Sequence, residues 1–308
     1  MDMDQPEQNK IPVGVIGLGS MGMGVARSLL RAGFPVTAYD VQKDSLQRFS
    51  ACGGNIAHSP AEVGARSQAL VIVVVNSAQT DEVLFGNAGA VASMKSGSVV
   101  ITCATMPPTF VKELGPRLQA CGLLHIDAPI SGGPTKAREG QLSVMASGPS
   151  AAFEICDDLF AAISSKLFRV GDEPGQGSTV KMVNQLLAGI HIAAAAEAIA
   201  FGIKQGADPA MLYEVISNSA GSSWMFQNRV PQILAGDYAP FAAVDIFVKD
   251  MGIILESAGK AFFPLPLTAA AHQMYLTAAS LGLGNQADSS VIKVFPGVDL
   301  PKPGKAGD

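Results

Sequence analysis

The chain is poor in charge. Only 15% of its 308 residues are Asp, Glu, Lys or Arg, and acid outweighs base to leave a net charge of −5. It therefore has no basic excess with which to displace counterions from a polyanion, which excludes nonspecific nucleic-acid binding. Cysteine and histidine are scarce too, with four of each. No two cysteines stand in a CxxC pair and the histidines are scattered, so the spacings of a zinc site or a disulfide framework are missing. Free thiols in a reducing cytoplasm, and no metal, are the expectation. The opening "MDMDQPEQNK" is acidic and polar, the opposite of a secretory leader. A convincing bilayer span is also lacking. The longest apolar run, "LLAGIHIAAAAEAIAFGIK", is mostly alanine and is interrupted by His191 and Glu197; it reads as a buried helix packed closely on its neighbours.

Apolar residues are abundant, at 48%, and the length suits two cores better than one. Residues 11–174 alternate short apolar runs with helical patterns. "VGVIG", "PVTAYD", "ALVIVVVN", "SVVITC" and "LLHIDAP" are strands, with helices between them such as "MGVARSLLRAG" and the stretch from Pro107 to Ala120. Runs apolar on both faces belong to parallel strands covered by helices on both sides. The expectation is a Rossmann-type doubly wound sheet, extended by "LSVMAS" and "KLFRV". After Gly175 the strand pattern stops. Helices are expected near 177–205, 208–219, 224–235, 243–260, 266–281 and 286–294. They form an all-α domain over 175–300, joined by one long interdomain helix. Residues 1–10 and 301–308 read as flexible tails.

The first strand runs into "GVIGLGSMG", which contains Gly17-Leu18-Gly19-Ser20-Met21-Gly22. A GxGxxG between a strand and a helix is the setting that dinucleotide binding requires. Gly17 allows the tight turn, Gly19 lets the backbone approach a pyrophosphate, and Gly22 lets the helix pack near the sheet. The helix start then offers N–H groups and a positive dipole end. Asp40 closes the second strand about twenty residues on, where a carboxylate accepts from the adenosine ribose hydroxyls and repels a 2′-phosphate. No arginine follows directly, and NAD is expected over NADP. Further on, "DAPISGG" ends another strand at the edge where open parallel sheets bind ligands. Ser131 with the amides of Gly132 and Gly133 makes a nest suited to a carboxylate, or else an ordinary serine-glycine turn.

"PGQGSTVKMVNQLLAGIH" opens the long helix, and Lys181 and Asn184 share one of its faces. The positive end of the helix dipole and burial both disfavour an ammonium there, so Lys181 suits proton exchange with a hydroxyl. A solvated lysine on an amphipathic helix is the other reading. Lys249 lies in "VDIFVKDMG", four residues after Asp245, where a surface ion pair is sufficient explanation from the residues alone.

These motifs in this order resemble the β-hydroxyacid dehydrogenase family over nearly the whole chain, from Val13 to about Leu300. The glycine loop, "DAPISGGPTKAREGQL", "GQGSTVKMVNQ" and "FVKD" carry the resemblance. It implies that Lys181 is the catalytic acid/base, that Asn184 and the Ser131–Gly133 loop hold the substrate, and that Thr105 and Lys249 lie near the nicotinamide end of the cofactor. Two departures stand out. Asn76-Ser77 replaces the Leu-Pro of many members in the loop after the fourth strand, where cofactor contact is expected. Gln185 replaces a second asparagine. "VMASG", "LLAGIHIAAAAEA" and "SSWMFQNRVPQILAGDY" look most like the subgroup acting on L-threonate, a four-carbon sugar acid oxidised at C2. Ser131, Asn184 and either Ser222 or Asn228 are polar groups compatible with such a substrate. 3-Hydroxyisobutyrate and tartronate semialdehyde are the alternative substrates, and a non-catalytic NAD-sensing module is the alternative of a different kind. A homodimer or homotetramer is expected, with a small hydroxy acid as the only other partner.

Overall fold

The computed structural model describes residues 10–239 and 242–302. The chain forms two compact units, Met1–Lys181 and Met182–Asp308. Of the expected tails, only Lys10, Pro301 and Lys302 fall among the described residues; Lys10 pairs with Asp158 at 2.6 Å.

In the first unit, β1 (Val13–Ile16), β2 (Val36–Tyr39), β3 (Asn55–Ile56), β4 (Ala69–Ile72), β5 (Val99–Thr102) and β6 (Leu124–Asp127) are parallel neighbours in the order 3-2-1-4-5-6. That is the doubly wound order of dinucleotide-binding sheets. β7 (Ile130–Ser131) and β8 (Leu142–Ser147) add an antiparallel edge, and β9 (Ser164–Gly171) runs parallel to β8. The helices are α1 (Ser20–Arg31), α2 (Lys43–Ser50), α3 (Pro60–Ala65), α4 (Ser77–Phe85), α5 (Pro108–Ala120), α6 (Gly133–Glu139) and α7 (Ser150–Ile163).

The apolar runs explain why both faces are covered. Side chains alternate across a strand, and the alternation sorts these strands into two separate cores. Val13, Val15, Val71, Val99 and Ile101 pack with Val25, Leu29, Phe153 and Phe160 of α1 and α7. Ile16, Leu70, Ile72 and Val100 pack on the other face with Val63, Leu114 and Leu118 of α3 and α5. A strand polar on alternate residues would have left one face wet.

The second unit is helical. α8 (Gln176–Lys204) starts in the first unit and continues into it, followed by α9 (Pro209–Ser217), α10 (Trp224–Ala235), α11 (Val244–Lys260) and α12 (Pro266–Ala278). By length and composition alone α8 could cross a membrane. Its Ala188, Ile192, Ala193, Ala196, Ile199 and Ala200 are instead in the core of this unit, against Phe226, Val230, Phe247, Met251 and Tyr275. Tyr275 stacks on Phe247 with ring centroids 5.2 Å apart, and its hydroxyl donates to Gly189 O.

The last expected helix, 286–294, is a 3-10 stretch over Asp288–Val294, and α12 ends at Ala278 in a π turn over Ala279–Leu283. Short polar side chains compete with regular helical bonding, and here three of them are buried in succession. Ser289 Oγ donates to Gln232 Oε1 at 2.9 Å. Asp288, fully buried, takes both Arg229 Nε (2.6 Å) and Arg229 Nη2 (2.9 Å). Burial pushes the Asp288 carboxyl upward while Arg229 pulls it back. Removing one member of such a pair strands the other charge. Asp288→Ala should therefore destabilise the second unit by about 3–5 kcal/mol, read from urea unfolding followed by the fluorescence of Trp224, the chain's single tryptophan.

Candidate active site

The predicted residues of the first unit lie at one edge of the sheet. Gly17 follows β1, Asp40 follows β2, Asn76 and Thr105 lie just beyond β4 and β5, and Ser131 ends β7 shortly after β6. Because β1 to β6 are parallel, this is their carboxyl edge, where open α/β sheets take ligands. Gly17 has φ 94°, and a Cβ there would meet Val73 O at 2.4 Å. At Gly22 a Cβ would meet Gly17 O, whereas at Gly19 it would meet nothing within 4 Å. The loop is thus closed where it packs and open where a phosphate must approach. Gly19 caps α1 without any side-chain bond, which leaves the first-turn amides of Ser20, Met21 and Gly22 to an anion. Arg27, Arg48 and Arg138 line a cavity of about 310 Å³ that begins at Gly19 and Ser20. Among the described residues none of the three pairs with a carboxylate. Glycine loop, amides and arginines together fit a dinucleotide's phosphates.

Asp40 also braces the loop. Its Oδ2 accepts from Leu18 N at 2.5 Å and its Oδ1 from Gln42 N at 2.7 Å. The Leu18 amide is thereby committed, and its side chain is buried in the core. Met21 packs on that core as well. Asn76 caps α4, its Oδ1 accepting from Gln79 N at 2.9 Å. An asparagine in place of the Leu-Pro of many relatives thus starts the helix by itself. Gly132 and Gly133 both have positive φ, 135° and 79°, at the start of α6. Thr105 is half-buried beyond β5.

The start of α8 is held by the sheet. Asp127 Oδ2 accepts from Gly175 N (2.9 Å) and Ser178 N (2.7 Å), and Asp127 Oδ1 accepts from Ser178 Oγ (2.7 Å). Ser147, the register partner of Asp127 across β6 and β8, accepts from Gly177 N at 3.0 Å. A Cβ on Gly177 would sit 2.4 Å from Met145 O, so only glycine lets the helix come this near. These bonds satisfy amides that every helix start leaves unpaired, and they put an anion at the positive end of the dipole. Lys181, one turn further on, is buried with 6% of its surface exposed. The solvated reading of this lysine is thereby excluded. Asp127 and Ser147 were not singled out from the sequence; an acid closing an apolar strand was the available signal.

In the second unit Asn184 Nδ2 donates to Gln185 Oε1 (3.1 Å) and Gln185 Nε2 donates to Asp250 Oδ2 (2.6 Å). Lys249 lies 2.8 Å from Asp250 Oδ1, an ion contact without hydrogen-bond alignment. Asp250 is buried, where the residues alone suggest a surface pair with Asp245. Ser222 Oγ accepts from Gln227 Nε2, and Asn228 Oδ1 accepts from Arg229 Nη1.

Comparison with known proteins finds relatives along nearly the whole chain. The profile of the NAD binding domain of 6-phosphogluconate dehydrogenase matches residues 12–171, and that of the NAD-binding domain of NADP-dependent 3-hydroxyisobutyrate dehydrogenase matches 175–295. The chain belongs to the β-hydroxyacid dehydrogenase family. It is an oxidoreductase that uses a nicotinamide dinucleotide. An L-threonate dehydrogenase of Cupriavidus necator is 56% identical over 96% of this chain and 98% of its own length. One of Escherichia coli is 44% identical over 94% of this chain and 96% of its own. A crystal structure named 3-hydroxyisobutyrate dehydrogenase, from Salmonella typhimurium, superposes with a TM-score of 0.87 at 45% identity, over 93% of this chain and all of that one.

Burial pushes the Asp127 carboxyl up to about 6 from 3.8, although its three hydrogen bonds pull it down. Between these values the folded chain holds a proton that the unfolded chain has lost. The stability from this group is therefore complete below about pH 3.8 and is lost as pH rises through about 6, at no more than about 1.4 kcal/mol per pH unit. The urea midpoint of the wild type should fall from pH 4 to 6 relative to Asp127→Asn and run parallel to it above pH 7. Parallel curves throughout would show that Asp127 does not titrate in this window.

Proposed function

We propose that the chain oxidises L-threonate at C2 to the 2-oxo acid 2-dehydro-L-erythronate, with NAD as acceptor, in the cytoplasmic breakdown of four-carbon sugar acids. One observation carries this reading. A lysine with almost no exposed surface stands in the first turns of a helix anchored to the carboxyl edge of a nucleotide-binding sheet. The L-threonate dehydrogenases cited above support the choice of substrate.

The Gly17–Gly22 loop and the α1 amides hold the pyrophosphate, with Asn76 and Thr105 on the neighbouring strand ends. Asp40, which keeps lone pairs beyond its two loop bonds, takes the ribose hydroxyls. Lys249 keeps the place beside the nicotinamide end that the family resemblance implies. The bound cofactor supplies the hydride acceptor. Ser131 with the amides of Gly132 and Gly133 binds the substrate carboxylate. Lys181, buried in the first turns of α8, takes the proton of the reacting hydroxyl and returns it in the reverse direction. Asn184, three residues on along the same helix, orients the substrate. The exposed apolar side chains Phe201, Trp224, Phe263 and Leu267 of the second unit support a homo-oligomer, either dimer or tetramer. The Salmonella structure's name favours 3-hydroxyisobutyrate as the second substrate to test.

Lys181→Ala should lower turnover by at least about 10²-fold while NAD affinity, read by fluorescence titration, stays within a few-fold. Retention of more than about a tenth of the wild-type rate would remove Lys181 from proton transfer. Asp40→Ala should erase the preference for NAD; an unchanged NADP-to-NAD ratio would refute the ribose assignment. The substrate is settled by following reduced nicotinamide with L-threonate, glycerate and 3-hydroxyisobutyrate, and with tartronate semialdehyde in the reductive direction. L-threonate should give the highest kcat/KM.

A further inference from the structure

The side chains of Asn184, Gln185 and Asp250 form a hydrogen-bonded row within the second unit. Its direction is dictated from the carboxylate outward. A carboxylate only accepts hydrogen bonds, and Asp250 is almost fully buried beside the Lys249 ammonium. Gln185 must therefore turn its NH₂ group to Asp250. That leaves its carbonyl oxygen facing Asn184, so Asn184 must reply with its own NH₂. Reversing Gln185 would set oxygen against oxygen at the buried Asp250, and reversing Asn184 would do so at the part-buried Gln185 carbonyl, where an unmatched polar group is costly. The end of Asn184 turned away from Gln185 is then Oδ1, which accepts no hydrogen bond from the described residues.

We propose that Gln185 is a positioning residue that fixes the polarity of Asn184, so that Asn184 offers an acceptor to a second substrate hydroxyl, not the one being oxidised. The reasoning rests on the proton-transfer role given to Lys181 above. The reacting hydroxyl delivers its only proton to that amine and has none for Asn184. An acceptor in its neighbourhood is satisfied by the O–H on the next carbon. The site is therefore built for a 2,3-dihydroxy acid and discriminates against the otherwise identical acid that lacks the C3 hydroxyl. A glutamine suits this task because its longer arm spans from Asn184 to a carboxylate on another helix.

The test compares L-threonate with 2,4-dihydroxybutyrate of the same C2 configuration, in the wild type and in Gln185→Met, which keeps the length of the side chain without its hydrogen bonds. The variant should lose about 10- to 100-fold in kcat/KM for L-threonate, mostly through KM, and less than about 3-fold for the 3-deoxy acid. Equal losses on both acids, or none on either, would overturn the proposal, since a merely structural role does not distinguish the two. Asp250→Asn, which frees Gln185 to turn, should show the same selective loss and serves if the methionine variant does not fold. A second readout is independent of substrate. In amide-labelled protein one Asn184 Nδ2 proton should exchange slowly with water, and Gln185→Met should make it fast. Unchanged exchange would refute the polarity argument even if L-threonate is the substrate. Accelerated exchange in a protein that does not turn over L-threonate would uphold it while refuting the substrate reading.

Discussion

The arrangement depends on a carboxylate that makes no contact with any ligand in the proposed chemistry. Asp127 closes β6 and accepts the first amides of α8, and Ser147 beside it takes another. Three functions coincide in these bonds. They satisfy helix donors that would otherwise be buried without partners. They complement the dipole at the end where Lys181 stands. They fix the axial position of α8 and hence the place of the lysine, to within the tolerance of hydrogen bonds of 2.7–3.0 Å. Positioning of that kind is what a proton-transfer group needs, because misplacement of a reacting atom by an ångström is costly in rate.

Much of this was legible in the sequence, and the legible parts share a cause. The glycine loop could be read because its requirements are local: a turn at Gly17 that no side chain permits, and an open approach at Gly19. The sheet could be read because "VGVI", "ALVI" and "VVIT" are apolar at successive positions, a pattern that only burial on both faces explains. The six-residue α3 and the two-residue strands β3 and β7 are too short to show a period. The stretch over Asp288–Val294 read as an ordinary helix because its competition between side chain and backbone appears only once Arg229 and Gln232 are brought beside it.

The hidden features are long-range. Asp127 and Ser178 are 51 residues apart, and Gln185 and Asp250 are 65 apart. In the sequence Gln185 stands out only as a departure from a pair of asparagines, and Lys249 by a neighbouring Asp245 and by the place near the nicotinamide that the resemblance implies. In the structure both converge on Asp250, and a substitution that looked like a loosening of the family pattern becomes a connection. Asn228 shows the converse. Its polarity and position made it a candidate for the substrate, yet its carbonyl is taken by Arg229, whose other nitrogens serve Asp288.

The register of β6 against β8 has a consequence for substitution in this chain. Asp127 and Ser147 face each other across two antiparallel strands and jointly grip Gly177 and Ser178. A one-residue slip of either strand in that pairing would turn its side chain to the opposite face of the sheet and part the two. Residues 127, 147, 177 and 178 therefore form one mechanical unit, in which a substitution at any one position disturbs the bonds made by the other three.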